Sequence, residues 1–188
     1  MIGNDIVDLR QAAKDSNWKR PRFLNKIFTA KEQLIISTSE NKEHMVWLLW
    51  SMKEAAYKAY VRETKHRFFN PKRIECQLGS TDQGTVYIDE KLYDLKSVIT
   101  SDYVHSVATK AEANHLEVHL FKLPVFSQSE TVKAKVIHQL SCNKGIDSGA
   151  MEIKKTALGI PNVFFKNEQI LQALSISHHG EYGAFAMC

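Results

Sequence analysis

Lys42-Glu43-His44-Met45-Val46-Trp47-Leu48-Leu49-Trp50-Ser51-Met52-Lys53-Glu54-Ala55-Ala56-Tyr57-Lys58-Ala59-Tyr60-Val61-Arg62-Glu63 is the stretch on which the fold turns. Its apolar positions Met45, Val46, Leu48, Leu49, Met52, Ala55, Ala56 and Ala59 recur at intervals of three and four, the pattern of a helix with one buried stripe. Trp47, Trp50 and Tyr57 widen that stripe, so the spacing predicts a long helix at the centre of the core. Glu54 and Lys58 are four apart within it, so a carboxylate and an ammonium project from one face, one turn apart.

Two distant segments carry the other chemistry. Residues 2 to 8 read as a short strand, apolar and β-branched apart from Asn4, Asp5 and Asp8. Asp is depleted in strands, and a buried charge needs a partner or a metal. Near the other end stands Ser175-Ile176-Ser177-His178-His179. Each piece has a bland alternative: a solvated ion pair worth roughly 0.2 to 0.5 kcal/mol for Glu54 and Lys58, a turn-closing Asp, and a strand-end His on a backbone partner. If Asp5 converges on Glu54, two hard oxygen ligands meet beside a phosphate-neutralising lysine. Mg²⁺ is typically held in this way, by one or two carboxylates together with a substrate's phosphate oxygens.

Between these segments, Pro21 opens a turn of helix through Phe28, and Thr29 with Glu32 at N3 forms a capping box for a further helix. After Pro71 the period shifts toward two, in 74–78, 85–88, 97–99, 104–108 and 116–120. Turns at Gly79 and 81–84 and a polar 110–114 stretch separate them, which implies an antiparallel sheet. A Pro and Ser loop at 124–129 leads into a helix near 130–140, and strands return around 150–155, 162–166, 173–178 and 182–187. Asp102-Tyr103 and Glu181-Tyr182 form a faint echo of two related halves. The class is α+β, an antiparallel sheet packed on a long central helix.

The 188 residues, 44% hydrophobic, suffice for a buried core. A net charge of +4 suits an acidic partner and falls short of a dedicated nucleic-acid binder. The excess is concentrated in Arg10, Lys14, Lys19, Arg20, Arg22, Lys26 and Lys31 against the single acid Asp15 of residues 10–31, either a solvated helical face or a surface that steers an anionic protein. Cys76, Cys142 and Cys188 are odd in number and widely spaced, fitting reduced thiols in a cytoplasm rather than a zinc site. No apolar run reaches the ~18 residues needed to span a bilayer, and the amino terminus lacks a signal-peptide pattern.

These residues resemble the 4′-phosphopantetheinyl transferases, including holo-acyl-carrier-protein synthase and the larger surfactin-synthetase-activating type. The likeness lies in the Gly-x-Asp-Ile strand, Ile27-Phe28-Thr29-x-x-Glu32, Trp50-Ser51-x-Lys53-Glu54-Ala55-x-x-Lys58-Ala59 and the final Ser175-Ile176-Ser177-His178. It covers residues 1–75 and 158–188, leaving 76–157 as an unmatched insert in a single domain of 1–188. The resemblance implies an enzyme that moves the phosphopantetheine arm of coenzyme A to a serine of an apo acyl or peptidyl carrier protein, in fatty-acid or secondary metabolism. Adenosine 3′,5′-bisphosphate is the implied product and Mg²⁺ the implied cofactor. Asp5 and Glu54 would hold the metal, and Glu54 and Lys58 would be catalytic, with Glu54 as base. Lys58 would contact the phosphates of coenzyme A, Lys53 would sit beside the nucleotide, Ser177 and His178 would contact its adenosine 3′-phosphate region, and Arg10 would contact the carrier.

Three departures accompany the resemblance. Ile160 stands where the family's Gly-Lys-Pro turn has its lysine, between Gly159 and Pro161. The glycine-rich loop after the lysine helix is replaced by Val61 to Phe69, with Arg62, Lys65, His66 and Arg67. A third acidic ligand has no clear counterpart, Asp102 and Asp89 being the candidates. The competing readings are a divalent-metal phosphohydrolase or nucleotidyl enzyme using the same carboxylates, and a non-catalytic module binding an acidic protein. Both monomer and trimer fit the sequence.

Overall fold

The chain folds around one strand that is buried on both faces. In the computed structural model, which describes residues 1–80, 82–110 and 115–188, β1 (Ile2–Asp8) has Gly3, Asp5 and Val7 facing α4 (Lys42–Thr64), while Ile2, Asn4 and Ile6 face the opposite way. This is the period-two alternation of a strand, with both sides occupied. β1 pairs antiparallel with β5 (Tyr103–Thr109), which continues through β4 (Lys91–Ile99) and β3 (Gln83–Ile88) to β2 (Ile74–Leu78). Helix α4 lies across this five-stranded antiparallel sheet, and its Leu49, Met52, Ala56 and Ala59 join Val86, Tyr93 and Leu95 in the main core.

The opposite face of β1 meets a second sheet, in which β11 (Tyr182–Met187) lies between β10 (Leu174–His179) and β6 (Glu117–Lys122). Asn4 donates its backbone N–H to Ser175 Oγ at 2.8 Å, and its side-chain Oδ1 accepts from Ser177 Oγ at 2.5 Å. Asp8 closes the same junction. Its carboxylate caps α1 (Leu9–Asp15) through the N–H groups of Arg10 and Gln11 and accepts from the Glu181 N–H at 2.8 Å. A third sheet, β7 (Met151–Lys155), β8 (Pro161–Phe165) and β9 (Glu168–Gln169), forms a satellite core with α5 (Gln128–Lys144) and β10.

The α+β architecture agrees with the sequence pattern, and most bounds fall within a few residues of expectation. The capping box at Thr29 and Glu32 opens α3 (Ala30–Thr38), which follows the short α2 (Phe23–Ile27). Three elements run longer or were unforeseen: β4 begins at Lys91, α5 extends to Lys144, and α1 follows β1 directly because Asp8 supplies an N-cap. Part of the expected 81–84 turn and of the polar 110–114 stretch lies outside the described residues. The two segments of the sequence echo meet, Tyr103 and Tyr182 packing with ring centroids 4.9 Å apart. Among the described residues no helix is long and apolar enough to cross a membrane.

Gly3 sets the spacing between β1 and α4. A Cβ there would lie 2.0 Å from the Ala55 carbonyl oxygen and 2.7 Å from the Ala59 nitrogen. Both obstacles are helix backbone, which no side-chain rotation relieves. Gly3→Ala is therefore expected to lower the melting temperature by about 10 °C or more, the effect of an overpacking cost near 3 kcal/mol. Gly149→Ala, whose Cβ would approach nothing nearer than 3.6 Å, is the control and should melt like the parent in the same scan.

Candidate active site

β1 and α4 bring Asp5, Glu54 and Lys58 together. Lys58 Nζ donates to Asp5 Oδ1 at 3.0 Å and to the Asn4 carbonyl at 2.8 Å, while Ser51 Oγ donates to the Asp5 carbonyl at 3.1 Å. Two turns of helix thus grip the strand backbone on either side of the Asp5 side chain. Asp5 and Glu54 line one cleft with His178, His179, Trp50 and Arg20.

The electrostatics mark this as a strained pair of acids. Burial pushes the Glu54 carboxyl up to about 7, and the neighbouring Asp5 charge adds to the rise against the opposing pull of Lys58. Burial also raises Asp5, with Lys58 opposing. A divalent cation would relieve both, and the donors are carboxylate oxygens, the ligand type that suits Mg²⁺. Asp5 and Glu54 are thus the residues that could hold a metal. Among the described residues no cluster of three or more His, Cys, Asp or Glu side chains could do so, and the candidates for a third acid are engaged elsewhere. Asp102 pairs with Arg10 at 3.0 Å, and Asp89 with Arg73 at 2.7 Å.

Other expected site residues lie differently. Lys53 was expected beside a nucleotide, yet its side chain is buried. Its ammonium pairs with Glu32 at 2.8 Å and donates to the carbonyls of Pro71 and Ile74. Glu32 in turn accepts from the N–H groups of Thr29 and Cys76 at 2.8 Å each. The pair therefore ties α3, α4 and the start of β2 together. Ser177 is likewise turned inward onto Asn4, whereas His178 is exposed on the cleft. Burial and the Lys58 charge lower the His178 pKa, favouring its neutral form. Arg10 is solvent-exposed, as are Lys14, Lys19, Arg20, Arg22 and Lys26, and Arg20 reaches the cleft that holds Glu54.

A buried polar group that the sequence motifs do not mark lies behind the site. Asn4 is fully buried, with His105 Nε2 3.3 Å from its Oδ1 and with no partner for its Nδ2 among the described residues. Burial, with the Lys58 charge, brings His105 down to about 4, so a neutral ring faces the amide. A polar Asn within an apolar strand was the available signal. Tyr57, Trp50 and Phe68 line an apolar groove of about 400 Å³ that also opens at Glu54.

A family model for the 4′-phosphopantetheinyl transferase superfamily matches residues 1–111. The chain belongs to that superfamily. The matched span includes Asp5, Glu54 and Lys58, whereas His178 lies beyond it. Among solved structures, the chain is similar to the holo-[acyl-carrier-protein] synthase of Helicobacter pylori in complex with coenzyme A, at 15% identity and a TM-score of 0.47 over 57% of this chain and 97% of that one. It is also similar to the holo-[acyl-carrier-protein] synthase of Thermotoga maritima, at 11% identity and a TM-score of 0.43 over 89% of this chain and 83% of that one. No curated protein matches it by sequence.

Two measurements separate the acid in the cleft from the acid that holds the fold. Glu54 stands near 7 in the folded protein against an ordinary 4.5, so its contribution to stability is greatest below pH 4.5 and is lost as pH rises through 7. Denaturant titrations at pH 5 and pH 8 should show the parent losing up to about 3 kcal/mol more than Glu54→Gln across that interval. Lys53→Met should cost about 3 to 5 kcal/mol by stranding the Glu32 charge, and the double variant Glu32→Leu with Lys53→Met should recover most of the loss.

Proposed function

We propose that this chain transfers the 4′-phosphopantetheine group of coenzyme A to a serine hydroxyl of an apo acyl or peptidyl carrier protein, releasing adenosine 3′,5′-bisphosphate, with Mg²⁺ as cofactor. The reading is that of a holo-acyl-carrier-protein synthase. The observation that carries it is the meeting of Asp5 and Glu54 at one cleft, with Lys58 paired to Asp5, in a chain of the phosphopantetheinyl transferase superfamily. The 1–188 chain works as one unit, because β1, α4 and β10 all border that cleft.

The carrier's hydroxyl oxygen attacks the phosphorus bearing the pantetheine arm. A new P–O bond forms, and the bond to the bridging oxygen of the pyrophosphate breaks, with the electron pair leaving on the nucleotide's 5′-phosphate. Such a transfer depends on positioning and charge stabilisation more than on covalent catalysis by the protein. Glu54 takes the serine proton at its carboxylate. Lys58 neutralises the phosphate charge that develops on the leaving group. Asp5 and Glu54 would hold Mg²⁺, which neutralises charge across the pyrophosphate when bound. The apolar groove of Trp50, Tyr57 and Phe68 takes the pantetheine arm and excludes water from it. Arg10, Arg20 and the neighbouring lysines attract an acidic carrier, a steering effect that weakens as salt is added.

Incubation with coenzyme A, Mg²⁺ and an apo acyl carrier protein should give a carrier whose mass, read by mass spectrometry, has risen by one phosphopantetheine group. Cleavage of coenzyme A with an unchanged carrier would mean a phosphohydrolase, and carrier binding without turnover would mean a binding module. Lys58→Ala should lower turnover on the order of 100-fold or more, as loss of a charge-stabilising group does, with a smaller effect on the melting temperature. Asp5→Ala should abolish the Mg²⁺-dependent part of coenzyme A affinity in calorimetry. Unchanged affinity there would remove Asp5 from the metal.

A further inference from the structure

Among the described residues β1 pairs with a neighbouring strand along one edge only, that of β5. Its other edge is held by side chains of β10 instead of a backbone ladder. Ser175 Oγ accepts the Asn4 N–H at 2.8 Å, Ser177 Oγ donates to Asn4 Oδ1, and His179 Nδ1 accepts the Asp8 N–H at 3.0 Å. Residues 175, 177 and 179 share one face of the strand by its period of two, while Ile176 packs the other way against the satellite core. Serine hydroxyls keep their protons at physiological pH, so the histidine is the one hold of the three that changes charge there.

The bond to Asp8 fixes the state of the ring. An imidazole nitrogen that accepts an N–H carries no proton, so Nδ1 is bare and the neutral ring bears its hydrogen on Nε2. That Nε2 faces Asp15 Oδ2 across 3.7 Å, too far for a direct hydrogen bond, while Asp15 Oδ1 accepts from Gln11 Nε2 at 2.8 Å. His179 thus stands between two mutually exclusive demands. When neutral, it holds the end of β1. When protonated, it would set one N–H against that of Asp8, two donors face to face, and its charge would draw the ring toward the carboxylate at the end of α1. Both positions are open to it, since its side chain is 31% exposed and that of Asp15 52%.

We infer that His179 is a proton-operated latch, fastened to the Asp8 amide when neutral and transferred to Asp15 when charged. The latch sets the α1 side of the cleft, because Ala12 and Asp15 of α1, and Ser16 at its end, line the same cleft as His179. Proton uptake therefore frees β10 from β1 at the Asp8 end alone, while the two serine holds on Asn4 stay closed. The other charged or titratable groups on this cleft are Asp5 from β1, Glu54 from α4, Arg20 from the segment after α1 and His178 from β10. The Asp8 carboxylate is committed to the N–H groups of Arg10, Gln11 and Glu181. Glu54, pushed up to about 7, changes charge in the same interval as a histidine and is the group to be told apart from His179. The latch does not rest on the transfer reading given above.

Nitrogen NMR on the full chain reads the ring directly: at pH 8, Nδ1 of His179 should give the resonance of a bare nitrogen and Nε2 that of a protonated one. The opposite tautomer overturns the inference. Hydrogen exchange then reads the latch. The protection factor of the Asp8 amide should fall about tenfold from pH 8 to pH 5, as the loss of one hydrogen bond implies, while that of the Asn4 amide stays level. His179→Asn supplies an amide oxygen in place of Nδ1 but no site for a proton, so it should protect the Asp8 amide equally at both pH values. Asp15→Asn removes the charged ring's destination and should move the fall to lower pH. Glu54→Gln and His178→Asn should leave the fall where the parent has it. Level protection of the Asp8 amide in the parent overturns the inference, as does a fall that survives in His179→Asn or disappears in Glu54→Gln or His178→Asn. Should His179→Asn not fold, an unshifted fall in Asp15→Asn overturns it.

Discussion

The close approach of β1 to α4 at Gly3 is the constraint from which the rest of the structure follows. With no Cβ between them, strand and helix backbones meet against Ala55 and Ala59. Two residues along the same strand face, Asp5 is delivered to Lys58 and to the cleft of Glu54. The short distance also lets Ser51 and Lys58 reach the strand's carbonyls on either side of Asp5, so register is held by polar contacts as well as by packing. A strand displaced by one residue would turn Asn4 toward the helix and Asp5 toward β10.

The charges of α4 divide into two sets by the face on which they stand. Lys53 and Arg62 are enclosed, and both act on backbone: Lys53 with Glu32 holds the start of β2 and α3, and Arg62 holds β8 and β10 through the Pro161 and Leu174 carbonyls. Glu54 and Lys58 stand at the edge of the cleft, where burial is enough to perturb the acid without committing it to a structural partner. One helix therefore serves both as the central support of the core and as the carrier of the groups proposed to react. Rigidity of this kind keeps functional atoms in place to within fractions of an ångström.

Much of this was legible in the sequence. The three-four spacing of Met45 to Ala59 located α4, and the Glu54 to Lys58 interval placed acid and base on one face. Alternation disclosed the sheets because each of their strands buries one side or both. What the sequence did not disclose was partnership. Lys53 precedes Glu54 by one residue, a rotation of about 100° around the helix, and it falls on the stripe of Leu49 and Ala56. Lys53 was nevertheless expected beside a nucleotide, and only the fold shows that it is buried with Glu32 of the capping box as its counter-ion. Ser177 looked available for the same reason. A strand's alternation tells which residues share a face, and Asn4, at nearly the other end of the chain, decides which face is closed. Arg67 had no periodicity to mark it, since the Leu158 carbonyl to which it donates lies some ninety residues away.

The junction of β1 with β10 and β11 also bears on how the protein is made. Asn4 meets Ser175 and Ser177, and Asp8 meets Glu181, across sequence separations of 171 and 173 residues. The ribosome therefore releases β1 long before the strands that cover its far face exist. Until β10 and β11 emerge, Ile2 lacks Ala186, Ile6 lacks Tyr182 and Ala184, and Asn4 lacks Ser175 and Ser177. Contacts of such long range close late and slowly. The nascent chain carries Asp5 and Glu54 early, but the β10 wall that completes their cleft is made much later, so the site assembles only once β10 has emerged.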